Sequence, residues 1–173
     1  MMKDRKWLLL TLSLVGFTPS NPTHASGNDE TQVREAMALF YVALNTMFRG
    51  DIAPMKQVWS HAEDITYMGP MGGFEVGWPK VLASWEQQAK MNLGGKVSAE
   101  RIRVIVGEHI AVAYNYERGE NIGTNGRSQV VSIRATNLFR KERGAWKMIG
   151  HHTDLLSFMK KQPSSPNTDV LTQ

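Results

Sequence analysis

The feature that most constrains the fold is a run of four long segments in which apolar and polar residues alternate, between residues 96 and 155. In order, they are "KVSAERIRVIVG", "HIAVAYNYERG", "QVVSIRATNLFRKE" and "AWKMIGHHTDLL". A tight turn at Gly107 separates the first segment from the second, and a tight turn at Gly144 separates the third from the fourth. The glycine-rich "ENIGTNGRS" lies between the second segment and the third. A period of two residues is typical of strands that bury one face. The pattern predicts an antiparallel meander of four strands.

Helical patterns precede this meander. In "NDETQVREAMALFYVALNTMFRGD" apolar residues recur at spacings of three and four, which predicts a helix that ends near Gly50. A short helix with Pro54 in its first turn follows, and a third helix begins at Pro79. Between them, a strand from about Ala62 is folded back by the glycines of residues 69–73. This order predicts an α+β domain in which a curved antiparallel sheet and its helices enclose a conical pocket.

The two ends of the chain differ from this domain. Residues 1–25 combine a basic start, an apolar stretch shorter than the about 20 residues that cross a bilayer, and a small residue at Ala25. They predict a cleaved signal peptide, with an uncleaved anchor as the alternative, and hence a periplasmic or secreted protein that is free of the membrane after cleavage. Residues 157–173, rich in Pro, Ser, Asn and Thr, predict a disordered tail. The predicted domain therefore covers residues 29–156.

Composition argues against several classes of function. The net charge is +4, and basic and acidic residues interleave, so no stripe of positive charge indicates a nucleic-acid partner. The chain contains no cysteine and no phosphate-binding glycine loop. A zinc site built from His61, Asp64 and His152 is disfavoured because these residues lack the tight spacing of zinc ligands. We expect neither a metal nor another cofactor.

Two stretches, "ITYMGPMGGFEVGWPKVLASWE" and "RATNLFRKERGAWKMIGHHTD", resemble the nuclear transport factor 2-like (NTF2-like) superfamily. The nearest branches are the SnoaL-like domains and the association domain of calcium/calmodulin-dependent protein kinase II. The resemblance covers residues 31–155 and implies a cone-shaped fold and homodimers that pair through the sheet. The superfamily includes isomerases, dehydratases, cyclases and binding or assembly modules, so the fold does not define a reaction. At Asp154 the family more often has a serine.

Two residues are candidates for acid–base catalysis. Asp64 lies in an apolar, aromatic run, and a buried carboxylate there would have a raised pKa and could act as a general base. The alternative is a turn cap or a solvated side chain. His151 and His152 are adjacent on a strand, so only one can face the pocket. The family pattern favours His152, on the face of Trp146 and Met148, as the group that polarises a carbonyl; a buried histidine bonded to backbone is the alternative.

Four further residues are candidates for ligand binding: Trp59, Tyr67, Tyr114 and Arg134. Trp59 and Tyr67 either line the cone or belong to its core, and the core is the favoured alternative. Tyr114 shares a strand face with Tyr116, but the sequence does not tell which face meets the helices. Arg134 either binds a substrate carboxylate or pairs with a glutamate across a dimer interface.

The expected function is the binding of a small, partly apolar organic ligand in the conical pocket, without assigned turnover. The alternative is a metal-independent isomerase, dehydratase or cyclase that uses Asp64 as base and His152 as acid. Convergence of Asp64, His152 and Arg134 on one cavity would favour the enzyme, whereas their dispersal among salt bridges and solvent would favour binding.

The signal peptide can be tested directly. Mass spectrometry of the protein purified from its own host is expected to find an N-terminus near Ser26, because the apolar stretch and Ala25 fit a cleaved leader. A mature chain that begins at Met1 or Met2 would contradict this prediction.

Overall fold

The computed structural model describes residues 27–70, 72–123 and 125–155. The signal peptide and the C-terminal tail predicted above lie outside these residues. The elements in chain order are α1 (Gly27–Met47), α2 (Ala53–Val58), β1 (Thr66–Gly69), β2 (Gly72–Val76), α3 (Trp78–Lys90), β3 (Lys96–Val106), β4 (Ile110–Ile122), β5 (Ser128–Glu142) and β6 (Ala145–Leu155). None of the helices in this part of the chain is long and apolar enough to cross a membrane.

The six strands form one curved, open sheet in the order β2-β1-β6-β5-β4-β3. The predicted meander of β3 to β6 is confirmed, and the fold class is α+β. The sheet is mixed, because β1 lies parallel to β6, with Tyr67 opposite His151. The predicted strand start near Ala62 is wrong: β1 begins at Thr66, and Glu63 and Asp64 form a turn.

The helices cover one face of the sheet, which we call the inner face. The core joins the apolar stripe of α1, the aromatic residues near α2 and α3, and small or bulky residues of β4, β5 and β6. Its fully buried members include Met37, Phe40, Trp59, Trp85, Ala113, Phe139 and Met148. The inner face of β4 carries alanines at 111 and 113, whereas Ile110 and Tyr114 lie on the exposed outer face.

A β-bulge in β6 reverses the expected orientation of the two histidines. Leu138 pairs with Gly150 and Phe139 with Met148, so Ile149 is an extra residue in β6. The bulge shifts the alternation by one position. His151 therefore lies on the inner face with Met148 and is buried, whereas His152 is only half-buried. The prediction that His152 shares the face of Met148 is wrong, because it assumed a strand without a bulge.

Gly119 allows β4 to approach β3 closely, two residues beyond the inner-face residue Glu117. A Cβ atom at position 119 would overlap the carbonyl oxygen of Lys96, and the φ angle of Gly119 is +151°. Because backbone atoms cannot move aside as the end of a flexible side chain can, this position requires glycine.

We expect Gly119→Ala to lower the free energy of unfolding by roughly 2–5 kcal/mol, because steric overlap adds to backbone strain. Gly126→Ala is the matched control: its φ is +72°, but nothing lies within 4 Å of the added Cβ. The control should lose only about 1–2 kcal/mol, the cost of the left-handed conformation. Urea denaturation measures both variants, and equal losses would contradict the close approach.

Candidate functional site

Five polar side chains lie together on the otherwise apolar inner side of the fold. This inner polar cluster consists of Tyr41 from α1, Asn115 and Glu117 from β4, Asn137 from β5 and His151 from β6. Each residue is 7% exposed or less. Strand register brings them together. Asn137 pairs with His151 on one side and with Ala113 on the other, and Asn115 and Glu117 follow Ala113 on the same face of β4.

A continuous chain of hydrogen bonds connects the cluster. The Tyr41 hydroxyl donates to Glu117 Oε1 at 3.0 Å and accepts from Asn115 Nδ2 at 2.8 Å. Asn137 Nδ2 donates to Asn115 Oδ1 at 2.8 Å. Asn137 Oδ1 lies 2.7 Å from Nδ1 of His151. The chain therefore links α1 to three neighbouring strands.

Burial sets the protonation of Glu117 and His151. Burial raises the pKa of Glu117 from 4.5 to about 7, although the hydrogen bond from Tyr41 opposes this change. Burial, with a smaller effect from His152, lowers the pKa of His151 to about 3. His151 Nε2 lies 3.6 Å from Glu117 Oε1, beyond hydrogen-bond length, and a neutral imidazole forms no ion pair with it. Glu117 is thus a buried carboxyl group that exchanges its proton near neutral pH.

Tyr41 remains a proton donor under the same conditions. Burial, and then the charge of the nearby Glu117, raises the pKa of the Tyr41 phenol well above its ordinary value. Its hydroxyl therefore keeps its hydrogen while the Glu117 carboxyl titrates.

Aromatic rings surround the cluster. The rings of Phe40 and His151 have centroids 4.7 Å apart, and those of Tyr67 and Trp85 are 4.3 Å apart. The Tyr67 hydroxyl accepts a hydrogen bond from Gln88 at 3.0 Å, and burial raises its pKa to about 12. These rings provide the apolar walls that small-molecule sites usually have.

The interior also contains donors that are not used. The indole N–H groups of Trp59 and Trp85 are buried and have no hydrogen-bond partner among the described protein atoms. An unsatisfied buried donor costs about 1–3 kcal/mol, so such groups are rare in native interiors. An acceptor on a bound molecule would remove this cost.

Side chains fill most of the conical space that the sequence predicted to be open. Phe40, Trp59 and Trp85 are at most 1% exposed. Along the inner face of β5, exposure rises from 0% at Asn137 to 7% at Ile133, which pairs with Glu117. The next residue on this face of β5, Val131, is only partly buried. The cluster therefore lies nearest to solvent at the end of the sheet where Glu117 and Ile133 pair. We call this end the mouth of the cone.

Asp64 lies at the surface, outside the inner polar cluster. Its carboxylate oxygens are 2.7 and 3.1 Å from the guanidinium of Arg140, and its side chain is 66% exposed. The hydrogen bonds from Arg140 lower its pKa. The prediction that burial raises this pKa is wrong, because the turn before β1 directs the carboxylate to a surface arginine.

His152 has a different partner from Asp64. Its Nε2 atom is 2.9 Å from the hydroxyl of Thr66, and burial lowers its pKa. The structure therefore does not bring Asp64 and His152 together as an acid–base pair in the interior. Trp59 and Tyr67, in contrast, are both in the interior and belong to the core.

Tyr114 and Arg134 lie together on the outer face, on the opposite side of the sheet from the cluster. They line a shallow concavity of about 400 Å³ with Arg101, Tyr116, Thr136 and Asp154. Tyr114 pairs with Thr136, and Arg134 pairs with Tyr116 on one side and Asp154 on the other. The structure thus groups these two predicted ligand-binding residues, but not with Asp64.

None of the five residues of the inner polar cluster was predicted from the sequence as a site residue. One signal was present for β4, where Asn115 and Glu117 alternate in phase with Ala111 and Ala113. Small residues on one strand face are compatible with a helix packed closely above it. A carboxylate on that face is then a buried carboxylate, which requires an explanation.

A cone of helices on a curved open sheet, with polar groups on the inner face, places the protein in the NTF2-like class. The family model for the SnoaL-like domain matches residues 33–158, so the chain belongs to the SnoaL-like family. No curated protein sequence matches the chain significantly.

Solved structures share the fold. An NTF2-like superfamily protein from Salmonella enterica has a TM-score of 0.69 at 15% identity, covering 79% of this chain and 97% of its own. A dehydratase candidate of the NTF2-like family from Streptomyces avermitilis has a TM-score of 0.67 at 23% identity, covering 75% and 97%. The association domain of C. elegans CaMKII has a TM-score of 0.59 at 14% identity, covering 75% and 99%. Identities this low establish the fold alone.

The pKa of Glu117 predicts a pH dependence of stability. This pKa is higher in the folded chain than in the unfolded chain. The contribution of Glu117 to the free energy of unfolding is therefore fully present below pH 4.5 and is lost as pH rises through about 7. The change corresponds to roughly 3 kcal/mol. His151 contributes in the opposite sense between about pH 3 and 6.5, so the wild-type profile alone does not isolate Glu117.

Glu117→Gln isolates this contribution, because glutamine resembles the protonated acid and does not titrate. The free energy of unfolding of the wild type, minus that of the variant, is expected to fall by roughly 3 kcal/mol between pH 4.5 and 7. Urea denaturation over a pH series measures this difference. A difference that does not change with pH would contradict the raised pKa.

Proposed function

We propose that the chain binds a small, partly apolar organic molecule at the inner polar cluster. The observation that carries this proposal is Glu117, a buried carboxyl group that has no charged partner among the described residues. It lies beside His151, whose ring packs with those of Phe40, Tyr67 and Trp85. Burial of a carboxyl group without a charged partner costs stability, and buried titrating groups cluster at functional sites.

The ligand enters at the mouth, where the inner face of β5 is least buried. Entry requires the side chains near Ile133 and Tyr41 to move outward, because the interior is otherwise filled. The apolar part of the ligand then packs against the rings, and its polar part meets Glu117. An acceptor oxygen on the ligand can take a hydrogen bond from Trp59 or Trp85, which offsets the cost of that unpaired donor.

A second candidate function is a metal-independent enzyme: an isomerase, dehydratase or cyclase. It is favoured by the pKa of Glu117, because a group that titrates at about 7 provides both base and acid at neutral pH. Glu117 would remove a proton from carbon beside a carbonyl group and return it elsewhere on the same molecule. In this role Glu117 replaces Asp64, whose carboxylate is paired with Arg140. The similar protein from Streptomyces avermitilis is described as a dehydratase candidate.

We also infer that the protein forms a homodimer through the outer face of the sheet. Ile105, Ile110 and Tyr114 are apolar residues there that are 43–55% exposed, beside the concavity that contains Arg134. Contiguous exposed apolar surface of this kind marks interaction sites. Export to the periplasm or the medium is proposed from the N-terminal sequence pattern alone.

Three variants separate these functions. Glu117→Leu removes the polar anchor and is expected to reduce ligand retention at least tenfold, since a hydrogen bond to a charged group contributes about 1.5–3 kcal/mol. Glu117→Gln keeps a hydrogen-bonding group, so it should retain ligand but lose any turnover. Asp64→Asn, at the surface, should resemble the wild type in both properties.

Native mass spectrometry of each protein purified from its own host measures the bound molecule, and the same spectra give the number of chains. We expect two chains, with a bound molecule that is absent from Glu117→Leu. Loss of the molecule from Asp64→Asn alone would restore Asp64 as the site residue. No bound molecule in the wild type, including after incubation with a host metabolite extract, would contradict the binding proposal.

A further inference from the structure

We propose that Asn115 and Asn137 are positioning residues that hold His151 in one tautomer, with hydrogen on Nδ1 and a free electron pair on Nε2 facing Glu117. The inference deepens the proposed function, because it defines which hydrogen bonds the inner polar cluster offers to a ligand. The chain of amides from β4 to β6 begins at a backbone atom that can act only as an acceptor.

The fixed atom is the carbonyl oxygen of Tyr116, which can only accept hydrogen bonds. The Asn115 side-chain nitrogen, Nδ2, lies 3.0 Å from this oxygen and 2.8 Å from the Tyr41 hydroxyl. The single hydrogen of that hydroxyl is donated to Glu117. A reversed Asn115 amide would place two acceptor oxygens about 3 Å apart, so the observed orientation is required.

The orientation of Asn115 determines the next two groups. Asn115 Oδ1 faces Asn137 and can only accept, so Asn137 must present its Nδ2 atom, which lies 2.8 Å away. Asn137 Oδ1 therefore faces His151 Nδ1 at 2.7 Å, and it also can only accept. Nδ1 must carry a hydrogen. A neutral imidazole has only one N–H, so Nε2 is an acceptor.

This tautomer is not the one that Glu117 would select by itself. An ionised Glu117 carboxylate, 3.6 Å from Nε2, attracts an N–H at that nitrogen. The two asparagines oppose this attraction by accepting the only hydrogen at Nδ1. A ligand group that contacts Nε2 must therefore donate a hydrogen bond, as a hydroxyl or N–H group does, and a carbonyl oxygen there would be rejected.

Long-range ¹H–¹⁵N NMR spectra of the full chain labelled at histidine distinguish the tautomers, because protonated and unprotonated ring nitrogens have well-separated shifts. At pH 8, where Glu117 is ionised, we expect wild-type His151 to carry its hydrogen on Nδ1. In Asn115→Leu, Asn137 is free to reverse, and the hydrogen should move to Nε2 in at least a tenth of the molecules. The other titratable groups near His151 are Tyr41, Tyr67 and His152, and all three are uncharged at this pH.

Asn121→Leu is the matched control, because it also removes a strand amide that donates to a backbone carbonyl, that of Gly94, outside the cluster. Its His151 tautomer should match the wild type. Asn115→Val, whose β-branched apolar side chain suits a strand and offers no acceptor to Asn137, replaces Asn115→Leu if the latter does not fold. Hydrogen on Nε2 in the wild type, or an unchanged tautomer in a folded Asn115 variant, would overturn the inference. The measurement needs no ligand, so its outcome is independent of whether the binding proposal holds.

Discussion

The hydrogen bond from Tyr41 to Glu117 is the interaction on which the inner polar cluster depends. It joins the helix layer to the sheet at 3.0 Å and gives a buried carboxyl group its closest polar partner. Because its hydrogen is committed to Glu117, the Tyr41 hydroxyl accepts from Asn115 and thereby helps to orient the amides as far as β6. Fold and protonation are coupled through this contact: a shift of α1 would change both the solvation of Glu117 and the hydrogen-bond pattern around His151.

Most of the architecture could be predicted because it depends on local patterns. Alternation over long segments identified the meander, and spacings of three and four identified α1. The parallel pairing of β1 with β6 was not predictable in this way, since no local pattern records which distant strand lies beside β1. The predicted orientation of His151 and His152 was wrong for a related reason. The extra residue Ile149 shifts the alternation in β6. This bulge is visible only from the pairing with Leu138 and Phe139 of β5, which the sequence of β6 does not record.

The candidate site was harder to predict, because its residues are defined by the environment rather than by their type. Asp64 attracted attention through its apolar neighbours in sequence, yet a turn places it beside Arg140 at the surface. Glu117 has tyrosine and arginine as neighbours in sequence and looks like a solvated strand residue. Only the face of β4 that meets α1 distinguishes it. The carboxylate that the sequence predicted to be buried therefore lies at the surface with a lowered pKa, whereas Glu117, which the sequence did not single out, is buried and has a raised pKa.

The parallel contact between β1 and β6 has a consequence for how the chain assembles. Thr66 to Met68 lie beside Gly150 to His152, which follow more than 80 residues later. During synthesis, the β1–β2 hairpin therefore emerges from the ribosome long before its neighbour exists, with one edge unpaired. Closing so long a loop is slow, and an open edge in the meantime invites association with other chains. Strand β6 completes the sheet beside β1, so the nascent chain has to remain soluble until residues 150–152 have been made.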